Sequence, residues 1–283
     1  MEAIAWQGHG TGPTFRHMHS HDEPLIREQQ DQTVILRLNR PDRLNAVNLP
    51  MYAALESELR GLTADREVRA LMITGSGRAF CVGADLKAHG EGGEGELSLD
   101  ERKGYVDAGQ RVHRLLQTIP KPVVAAVNGH AIGAGLELAL SCDFIIVAED
   151  AKLRLPEIGL GTFVGGGATY TLAQRVGYTK AKELIMLGLM FYGKEAEAMG
   201  LANAALPADA VLAAASELAA ELSRKAPISM AFAKRLLDRA RDVDSETALR
   251  LEARALLQCM ETRDWREGID AFNEKRDPNF IGE

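Results

Sequence analysis

Short, almost wholly apolar runs, separated by segments with helical periodicity, limit the folds open to this chain more than any other pattern in it. The runs are Ala70–Thr74, Val123–Asn128 and Phe144–Ala148. Runs of this length without polar alternation are typical of strands buried on both faces, as in parallel sheets covered by helices. Because such strands alternate with helices, the connections are expected to be right-handed βαβ crossovers. The sequence therefore predicts an α/β core with a largely parallel sheet.

Turn and capping residues predict the other elements of the first half. Two strands are expected on either side of a turn at residues 31–32. Asn48 is a candidate N-cap with Pro50 in the first turn of its helix, and Ser98 followed by Glu101 forms a capping box. A short helix is expected to open at a glycine-rich turn near residue 133. The expected bounds are Leu25–Gln30 and Thr33–Asn39 for the strands, and 48 to about 63, 98 to about 118 and 133–140 for the helices.

The second half of the chain is predicted to be mainly helical. Beyond about residue 166 the pattern turns helical, and residues 208–272 are rich in the helix formers Ala, Leu, Glu and Arg. Pro207 and Pro227 are expected to break the helices on either side of them. We therefore divide the chain into a flexible leader at 1–23, an α/β core at 24–205 and a helical C-terminal subdomain at 206–283.

Charge and composition exclude several classes of protein and ligand. Lys and Arg number 33 against 40 Asp and Glu, and the net charge of −7 argues against a protein that coats nucleic acid or an anionic membrane. Three widely spaced cysteines show neither a disulfide framework nor a metal-binding pair, which fits a reducing cytoplasm. No apolar run approaches the roughly 18 residues that span a bilayer, and no secretory signal is evident. His17, His19 and His21 could chelate a metal, but no carboxylate or cysteine cluster accompanies them, and no metal site is expected.

Glycine is concentrated in the middle third of the chain. Of 27 glycines, 17 lie between Gly75 and Gly167, where the backbone is expected to approach a ligand closely or to adopt a positive φ. Three segments of this region carry polar residues suited to chemistry. They are Ala79–Lys87, Val124–Phe144 and Leu153–Gly161.

The second of these segments has the composition of an anion site. A strand that feeds a glycine-rich turn into a helix leaves free N–H groups at the positive end of the helix dipole, where a phosphate or a reaction oxyanion can bind. Glu137 follows Ala134 by three residues, and its leucine neighbours indicate partial burial, where a carboxylate needs a partner or a task. Alternatively, Gly133 and Gly135 only allow close helix–strand packing, and Glu137 faces solvent. The residues alone leave both interpretations open.

Taken together, the three segments resemble those of the enoyl-CoA hydratase/isomerase, or crotonase, superfamily. The stretch at 124–144 matches the family signature along its whole length. The flanks agree, with Asn39-Arg40-Pro41 and Leu44-Asn45-Ala46 near the start and Ala271-Phe272 and Lys275-Arg276 near the end. The resemblance covers about residues 24–283. It implies an α/β core of repeated ββα turns wound into a superhelix, a helical C-terminus that packs for trimer assembly, and chemistry on acyl-CoA thioesters.

The resemblance also implies which residues act. The backbone N–H groups of Ala84 and Ala134 would polarise the thioester carbonyl and stabilise an enolate. Glu137 and Glu157 match the two glutamates of family members that add water to a conjugated double bond. By family precedent, Glu137 activates the water and Glu157 handles the Cα proton. The pair favours an enoyl-CoA hydratase acting on the 2,3 double bond, because hydration needs two acid/base groups.

Substrate contacts and assembly are implied in the same way. Substrate-binding positions are expected at Arg43, Leu44, Asp85, Leu86, Lys87 and Gly133. Coenzyme A is part of the substrate, so no separate cofactor is expected. The resemblance also implies a homotrimer, or a hexamer made of two trimers.

Two features leave other functions open. Residues 162–167 lack the proline that commonly precedes these glycines in hydratases, and the Gly- and Glu-rich stretch at 88–97 matches a variable part of the family over the acyl pocket. The first alternative is therefore other chemistry on the same site, by an enoyl-CoA isomerase or a ring-cleaving β-ketoacyl-CoA hydrolase. The second is a protein that binds acyl-CoA without turnover. The preference for an acyl group is left open.

Overall fold

The computed structural model describes residues 23–85, 98–240 and 242–283. The predicted leader, apart from Glu23, and the stretch at 88–97 lie outside the described residues. Within them, ten strands form two sheets. The strands are β1 (Leu25–Gln30), β2 (Thr33–Leu38), β3 (Ala70–Gly75), β4 (Ala79–Cys81), β5 (Val123–Val127), β6 (His130–Ile132), β7 (Phe144–Ala148), β8 (Lys152–Arg154), β9 (Phe191–Tyr192) and β10 (Ala204–Leu206).

The described residues also form nine α-helices. They are α1 (Leu49–Ala64), α2 (Leu99–Thr118), α3 (Ala134–Leu140), α4 (Ala168–Met186), α5 (Gly193–Ala198), α6 (Val211–Ser223), α7 (Pro227–Arg239), α8 (Ser245–Met260) and α9 (Arg263–Glu274). None of these helices is long and apolar enough to cross a membrane. Gly177, at φ +76°, interrupts the regular helix of α4 with a kink.

The larger sheet lies at the centre of the core. Its strands are ordered β1-β2-β3-β5-β7-β10, and all neighbours are parallel except the antiparallel hairpin of β1 and β2. β3 and β5 are buried along their whole length. The apolar runs are therefore confirmed as buried strands of a largely parallel sheet, because each of them is covered on both faces.

A smaller sheet, ordered β4-β6-β8-β9, carries the turns that matter for function. β4, β6 and β8 are parallel, and β9 is antiparallel to β8. Strands of two or three residues are too short to show a period, so the sequence pattern does not predict this sheet. β9 and β10 also correct the expectation that the chain is helical beyond residue 166, because each of them adds a short strand to one of the two sheets.

The predicted capping residues begin the first two helices. Asn48 Oδ1 accepts a hydrogen bond from Met51 N at 3.0 Å. At α2, Glu101 N donates to Ser98 Oγ at 3.3 Å, and Ser98 N donates to Glu101 Oε2 at 2.8 Å, so the capping box is complete. α1 and α2 pack against each other. This packing fixes the helix that forms one wall of the candidate site.

The C-terminal helices attach to the core in two ways. α6 packs on the central sheet through the buried side chains of Val211, Ala215 and Ala219. From α7, Lys234 Nζ donates to Asp143 Oδ2 at 2.8 Å, and both side chains are largely buried. Pro227 begins α7 at the first helical position, where a missing N–H breaks no hydrogen bond. The division into a core and a C-terminal subdomain stays a prediction.

Replacing Lys234 with Met is expected to destabilise the protein by about 3 kcal/mol, because the buried carboxylate of Asp143 would lose its cation. Burial already raises the pKa of Asp143, and Lys234 opposes that rise. The matched control is Lys225→Met, since Lys225 pairs with Glu221 at the surface and its loss should cost less than about 1 kcal/mol. Urea unfolding at one protein concentration measures both free energies of unfolding. Equal losses in the two variants would show that the buried pair adds nothing.

Candidate active site

A cavity of about 340 Å³ lies between α2 and the turns that follow β4, β6 and β8. Because these three strands are parallel, their carboxyl ends meet at one edge of the smaller sheet, where ligands of α/β proteins commonly bind. The predicted site residues that line the cavity are Ala84, Gly133, Ala134, Glu137 and Glu157. The fold therefore brings together the two predicted N–H groups and the two predicted glutamates.

Ala84, the first predicted backbone donor, lines this cavity. It forms a parallel bridge with Val47, in which Val47 N donates to Gly83 O at 2.8 Å and Asp85 N donates to Val47 O at 2.9 Å. In such a bridge the intervening residue directs its own N–H and C=O away from the partner strand. Ala84 lines the cavity, so its N–H is available to a ligand there.

The N–H of Ala134 lies close to this turn. Ala134 is the first residue of α3, where an N–H has no acceptor within the helix. Gly83, at φ +97°, lies beside it, since a Cβ on Gly83 would be 3.6 Å from Ala134 N. The two turns therefore place two backbone donors at one end of the cavity, and the positive end of the α3 dipole adds to their field.

Close packing of α3 on β4 explains the glycine after Ala134. A Cβ on Gly135 would collide with the backbone carbonyl of Cys81. Gly135 therefore does allow close helix–strand packing, as the alternative interpretation holds. The same turn also carries the predicted donor, so both interpretations of the segment apply. Cys81 is fully buried, and burial raises the pKa of its thiol to about 12. The thiol stays protonated at neutral pH, in agreement with a packing role.

Glu137 is buried and held by backbone donors. Its side chain is 4% exposed. Gly166 N donates to Oε1 at 2.7 Å, and Gly165 N donates to Oε2 at 3.3 Å. Burial raises the pKa of the Glu137 carboxyl, while these backbone hydrogen bonds oppose the rise. The solvent-facing alternative for Glu137 is therefore wrong, because the glycine segment at 165–167 closes over the carboxylate.

Glu157 reaches the cavity from a short 3₁₀ helix, Glu157–Leu160, after β8. A Cβ on Gly133, which has φ +53°, would lie 2.6 Å from Glu157 Oε1, so the carboxylate lies directly against this glycine. Oε2 is buried, and within the described parts of the chain it has no hydrogen-bond partner. Burial raises the pKa of Glu157, and the charge of Glu137 adds to the rise. Both influences favour the neutral carboxyl of Glu157 more than water does.

The predicted coenzyme A contacts differ from one another in burial and in their hydrogen bonds. Arg43 is exposed at the end of the 3₁₀ helix Pro41–Arg43. Leu44 is half-buried, and its carbonyl accepts from Val82 N at 3.2 Å. Asp85 is buried and accepts from Arg40 Nη2 at 2.7 Å, so its carboxylate helps to fix the turn after Ala84. Leu86 and Lys87 lie outside the described residues.

Several residues of the cavity are missed by the sequence analysis. Tyr52, Tyr105 and His113 all line it. The two tyrosine rings lie 5.3 Å apart, and burial raises the pKa of Tyr105 to about 12. One signal could have found the residues on α2, because Arg102, Tyr105, Gly109 and His113 recur at intervals of three or four and so share one helix face. No local signal identifies the donors of the glycine segment, which meets Glu137 only in the folded chain.

The fold and the site together define a class of protein, an α/β enzyme in which two backbone donors and two glutamates face one cavity. The chain belongs to the enoyl-CoA hydratase/isomerase family, whose model matches residues 28–283.

Known proteins agree with this assignment. The chain is 36% identical to 2,3-dehydroadipyl-CoA hydratase of Escherichia coli, over 91% of this chain and 98% of that protein. It is 35% identical to crotonyl-CoA hydratase of Syntrophomonas wolfei, over 92% and 98% respectively. The crystal structure of enoyl-CoA hydratase from Bacillus anthracis matches with a TM-score of 0.88 and 33% identity, covering 92% of this chain and 100% of that chain. These comparisons confirm the predicted family, the fold and an enzyme of the enoyl-CoA hydratase type.

Proposed function

We propose that the protein adds water across the 2,3 double bond of an acyl-CoA thioester, with Ala84, Ala134, Glu137 and Glu157 as its catalytic residues. The observation that carries this proposal is the meeting of four groups at one cavity, namely the N–H groups of Ala84 and Ala134 and the carboxyls of Glu137 and Glu157. Two donors suit the oxygen of a thioester, and two carboxyls suit the two proton transfers of hydration.

The thioester oxygen binds between the two N–H donors. When the water oxygen attacks Cβ, the electrons of the double bond move toward the carbonyl, and the oxygen gains negative charge. The N–H groups of Ala84 and Ala134 stabilise this charge. Backbone hydrogen bonds hold the residues next to both donors, so little reorganisation is needed as the charge develops.

We assign the two proton transfers from the environments of the two glutamates. Backbone N–H groups donate to Glu137, which favours its charged form, whereas a buried oxygen of Glu157 has no hydrogen-bond partner among the described residues and lies near the charge of Glu137. Glu137 therefore takes a proton from the attacking water, and Glu157 gives its proton to Cα of the enolate. The product gains OH at Cβ and H at Cα. A proton then passes from Glu137 to Glu157, directly or through water, and restores the site.

The remaining components follow from this chemistry. The thioester itself accepts the electrons, so the proposed reaction uses no metal or redox cofactor, and coenzyme A enters as part of the substrate. Arg43, Leu44, Asp85, Leu86 and Lys87 are the proposed contacts of the coenzyme A moiety, with Gly133 beside the acyl group. Three cysteines without a disulfide support a cytoplasmic location.

We also propose that the chain forms a trimer, or a hexamer of two trimers. The support is a set of exposed apolar side chains on α8 and α9, since contiguous apolar surface favours association. They are Leu249, Leu256, Leu257, Met260, Trp265, Ile269 and Phe272. Light scattering that gives a stable mass of 30.7 kDa, the mass of one chain, would contradict this assembly.

The direct test is the ultraviolet absorbance of the conjugated thioester in crotonyl-CoA. On addition of the purified protein, the absorbance is expected to decay as the double bond is hydrated, and mass spectrometry is expected to show a gain of one water. A product with the mass of the substrate would indicate isomerisation instead. No reaction over a panel of short, long and ring-bearing enoyl-CoA thioesters would reject the proposed function.

The rate is expected to depend on pH through both glutamates. Glu137 must be ionised to accept a proton, so kcat falls as the pH drops through its pKa. Because burial raises that pKa above the ordinary 4.5, the loss begins at a higher pH than for an exposed glutamate. Glu157 must be protonated, so kcat also falls as the pH rises through the raised pKa of Glu157. A bell-shaped profile of kcat, with macroscopic values that belong to the pair, is expected. A rate that does not fall on both sides of a pH optimum would contradict these roles.

A further inference from the structure

A buried histidine, which the proposed reaction does not use, lies at the wall of the same cavity. His113 is 4% exposed and comes from the face of α2 that lines the cavity. Its Nδ1 lies 2.8 Å from Ser141 Oγ, at the end of α3. This contact joins α2 to the helix that carries Glu137.

The hydrogen bonds around Ser141 are all satisfied by one tautomer of the histidine. Ser141 Oγ donates its single proton to the backbone carbonyl of Glu137, at 2.9 Å. In this arrangement the hydroxyl accepts from His113 when Nδ1 carries the proton, which leaves Nε2 without one. Burial lowers the pKa of His113 to about 4, so the ring stays neutral over the working range of the enzyme. The result is a relay from the imidazole N–H through Ser141 to the main chain of Glu137.

The other side of the same ring touches the loop that holds the Glu137 carboxylate. A Cβ on Gly166 would collide with Nε2 of His113, so the glycine backbone lies directly against the imidazole. Gly166 N is also the closer of the two donors to Glu137, at 2.7 Å. The ring therefore supports Glu137 twice, once through Ser141 and once through the backbone of Gly166.

We propose that His113 is a positioning residue that orients Glu137 and keeps its backbone donors in place, by donating to Ser141 and by packing against Gly166. The inference rests on the proposed function of Glu137 as the base. His113 makes no proton transfer to the substrate in this role. Loss of the ring loosens the contact between Gly166 N and the carboxylate. Weaker donors stabilise the charged form less, so the pKa of Glu137 rises.

Ionisable groups from several elements face Glu137, and none of them substitutes for this support. They are Tyr52 from α1, Tyr105 from α2 and Glu157 from the turn after β8. Arg102 of α2 also lines the cavity, but it is not among the groups that shift the pKa of Glu137. The tyrosines are neutral at working pH because their pKa values are raised by burial. The charge of Glu157 would raise the pKa of Glu137 rather than lower it. The backbone donors therefore remain the main groups that favour the ionised base.

Three variants test the proposal. His113→Leu removes the donor and the ring, and it is expected to lower kcat by about 10-fold to 100-fold with little change in KM, as misplaced catalytic groups do. Its acid limb of kcat is expected to move to higher pH, by about half a unit or more. Ser141→Ala breaks the relay. It is expected to move the acid limb of kcat to higher pH as well, but by less than His113→Leu does. His113→Asn is the conservative control, because its amide N–H can replace Nδ1–H, and it is expected to recover part of the rate and of the pH profile.

The outcomes separate positioning from a merely structural role. If His113→Leu folds with wild-type circular dichroism and its acid limb does not move, the proposal is overturned. The proposal is also overturned if His113→Leu and His113→Asn lower kcat equally and neither variant moves the acid limb of the pH profile. Should His113→Leu fail to fold, Ser141→Ala decides, and an unmoved limb in that variant rejects the relay.

A measurement that does not depend on turnover separates this inference from the proposed function. Infrared difference titration of the protein carrying ¹³C-labelled glutamate reports carboxyl ionisation, and Glu137→Gln identifies the Glu137 signal. The pKa of Glu137 is expected to rise in His113→Leu whether or not crotonyl-CoA is a substrate. An unchanged pKa rejects the positioning role, while failure of hydration alone rejects only the proposed reaction.

Discussion

Replacing Glu157 with Gln is expected to lower kcat by about 10²-fold to 10⁴-fold and to leave KM within about threefold, because the loss affects proton transfer and not binding. The amide has nearly the shape of the carboxyl but cannot give a proton to Cα. Glu157 lies against Gly133 at the cavity, where the substrate must lie to reach both backbone donors. Glu137→Gln is expected to cause a loss of similar size, since the amide cannot take the proton of the water.

Glu58→Gln provides the matched control. Glu58 lies on α1 and pairs with Arg27 at the surface, away from the cavity, so the same chemical change is expected to leave kcat unchanged. Stopped-flow decay of crotonyl-CoA gives kcat and KM, and a CoA-binding measurement checks that the variants still bind. Wild-type kcat in both active-site variants would reject the two-glutamate mechanism. A rise in KM alone would assign these carboxyls to binding.

The elements that could be predicted from the sequence are those whose signals are local. The capping box at Ser98 and the cap at Asn48 act within one helical turn, and both begin helices in the structure. The apolar run at 123–128 needs only its own composition to predict a buried strand, and β5 is buried along its whole length. Each of these predictions depends on residues that lie within a few positions of one another.

The short strands of the smaller sheet have no local signal in the sequence. β6 and β8 each contain three residues, and they form strands because their neighbours supply partners from distant parts of the chain. No propensity within three residues can report such a partner. The same holds for β9, which lies in a region that the sequence predicts as helical. Its two residues pair with β8, so a tertiary contact overrides the local preference.

The candidate site also combines residues that a local motif identifies with contacts that only the folded chain makes. Resemblance to a family assigns Glu137 and Glu157, and the structure brings them to one cavity with Ala84 and Ala134. What holds these groups could not be predicted, because the supporting contacts are long-range. Gly166 meets Glu137 across 29 positions, and Ser141 meets His113 across 28. The Gly166 contact lowers the pKa of Glu137 against the effect of burial, so the fold carries information about the proposed catalytic groups that the motif alone lacks.

Replacing Ala134 with Pro is expected to lower kcat by about 10²-fold to 10³-fold, because it deletes one of the two donors to the thioester oxygen. Ala134 is the first residue of α3, a position at which proline is well tolerated because its N–H has no acceptor within the helix. Gly133, at φ +53° and ψ −126°, lies outside the α region that a following proline disfavours. The change therefore removes a proposed catalytic N–H at small cost to the helix. Steady-state hydration of crotonyl-CoA measures the loss.

Two controls isolate the missing donor from the presence of proline. Ala134→Gly keeps the N–H and is expected to keep kcat, while Ser245→Pro places proline at the equivalent exposed position of α8 and is expected to change nothing. If Ala134→Pro does not fold, an ester bond in place of the 133–134 amide removes the same N–H without a ring and is expected to give the same loss. Retention of wild-type kcat in the proline or ester variant would mean that the charge on the thioester oxygen is stabilised elsewhere. If only the proline and ester variants lose activity, the charge on the thioester oxygen is stabilised at the start of α3. There the helix dipole and the turn after β4 both favour an anion.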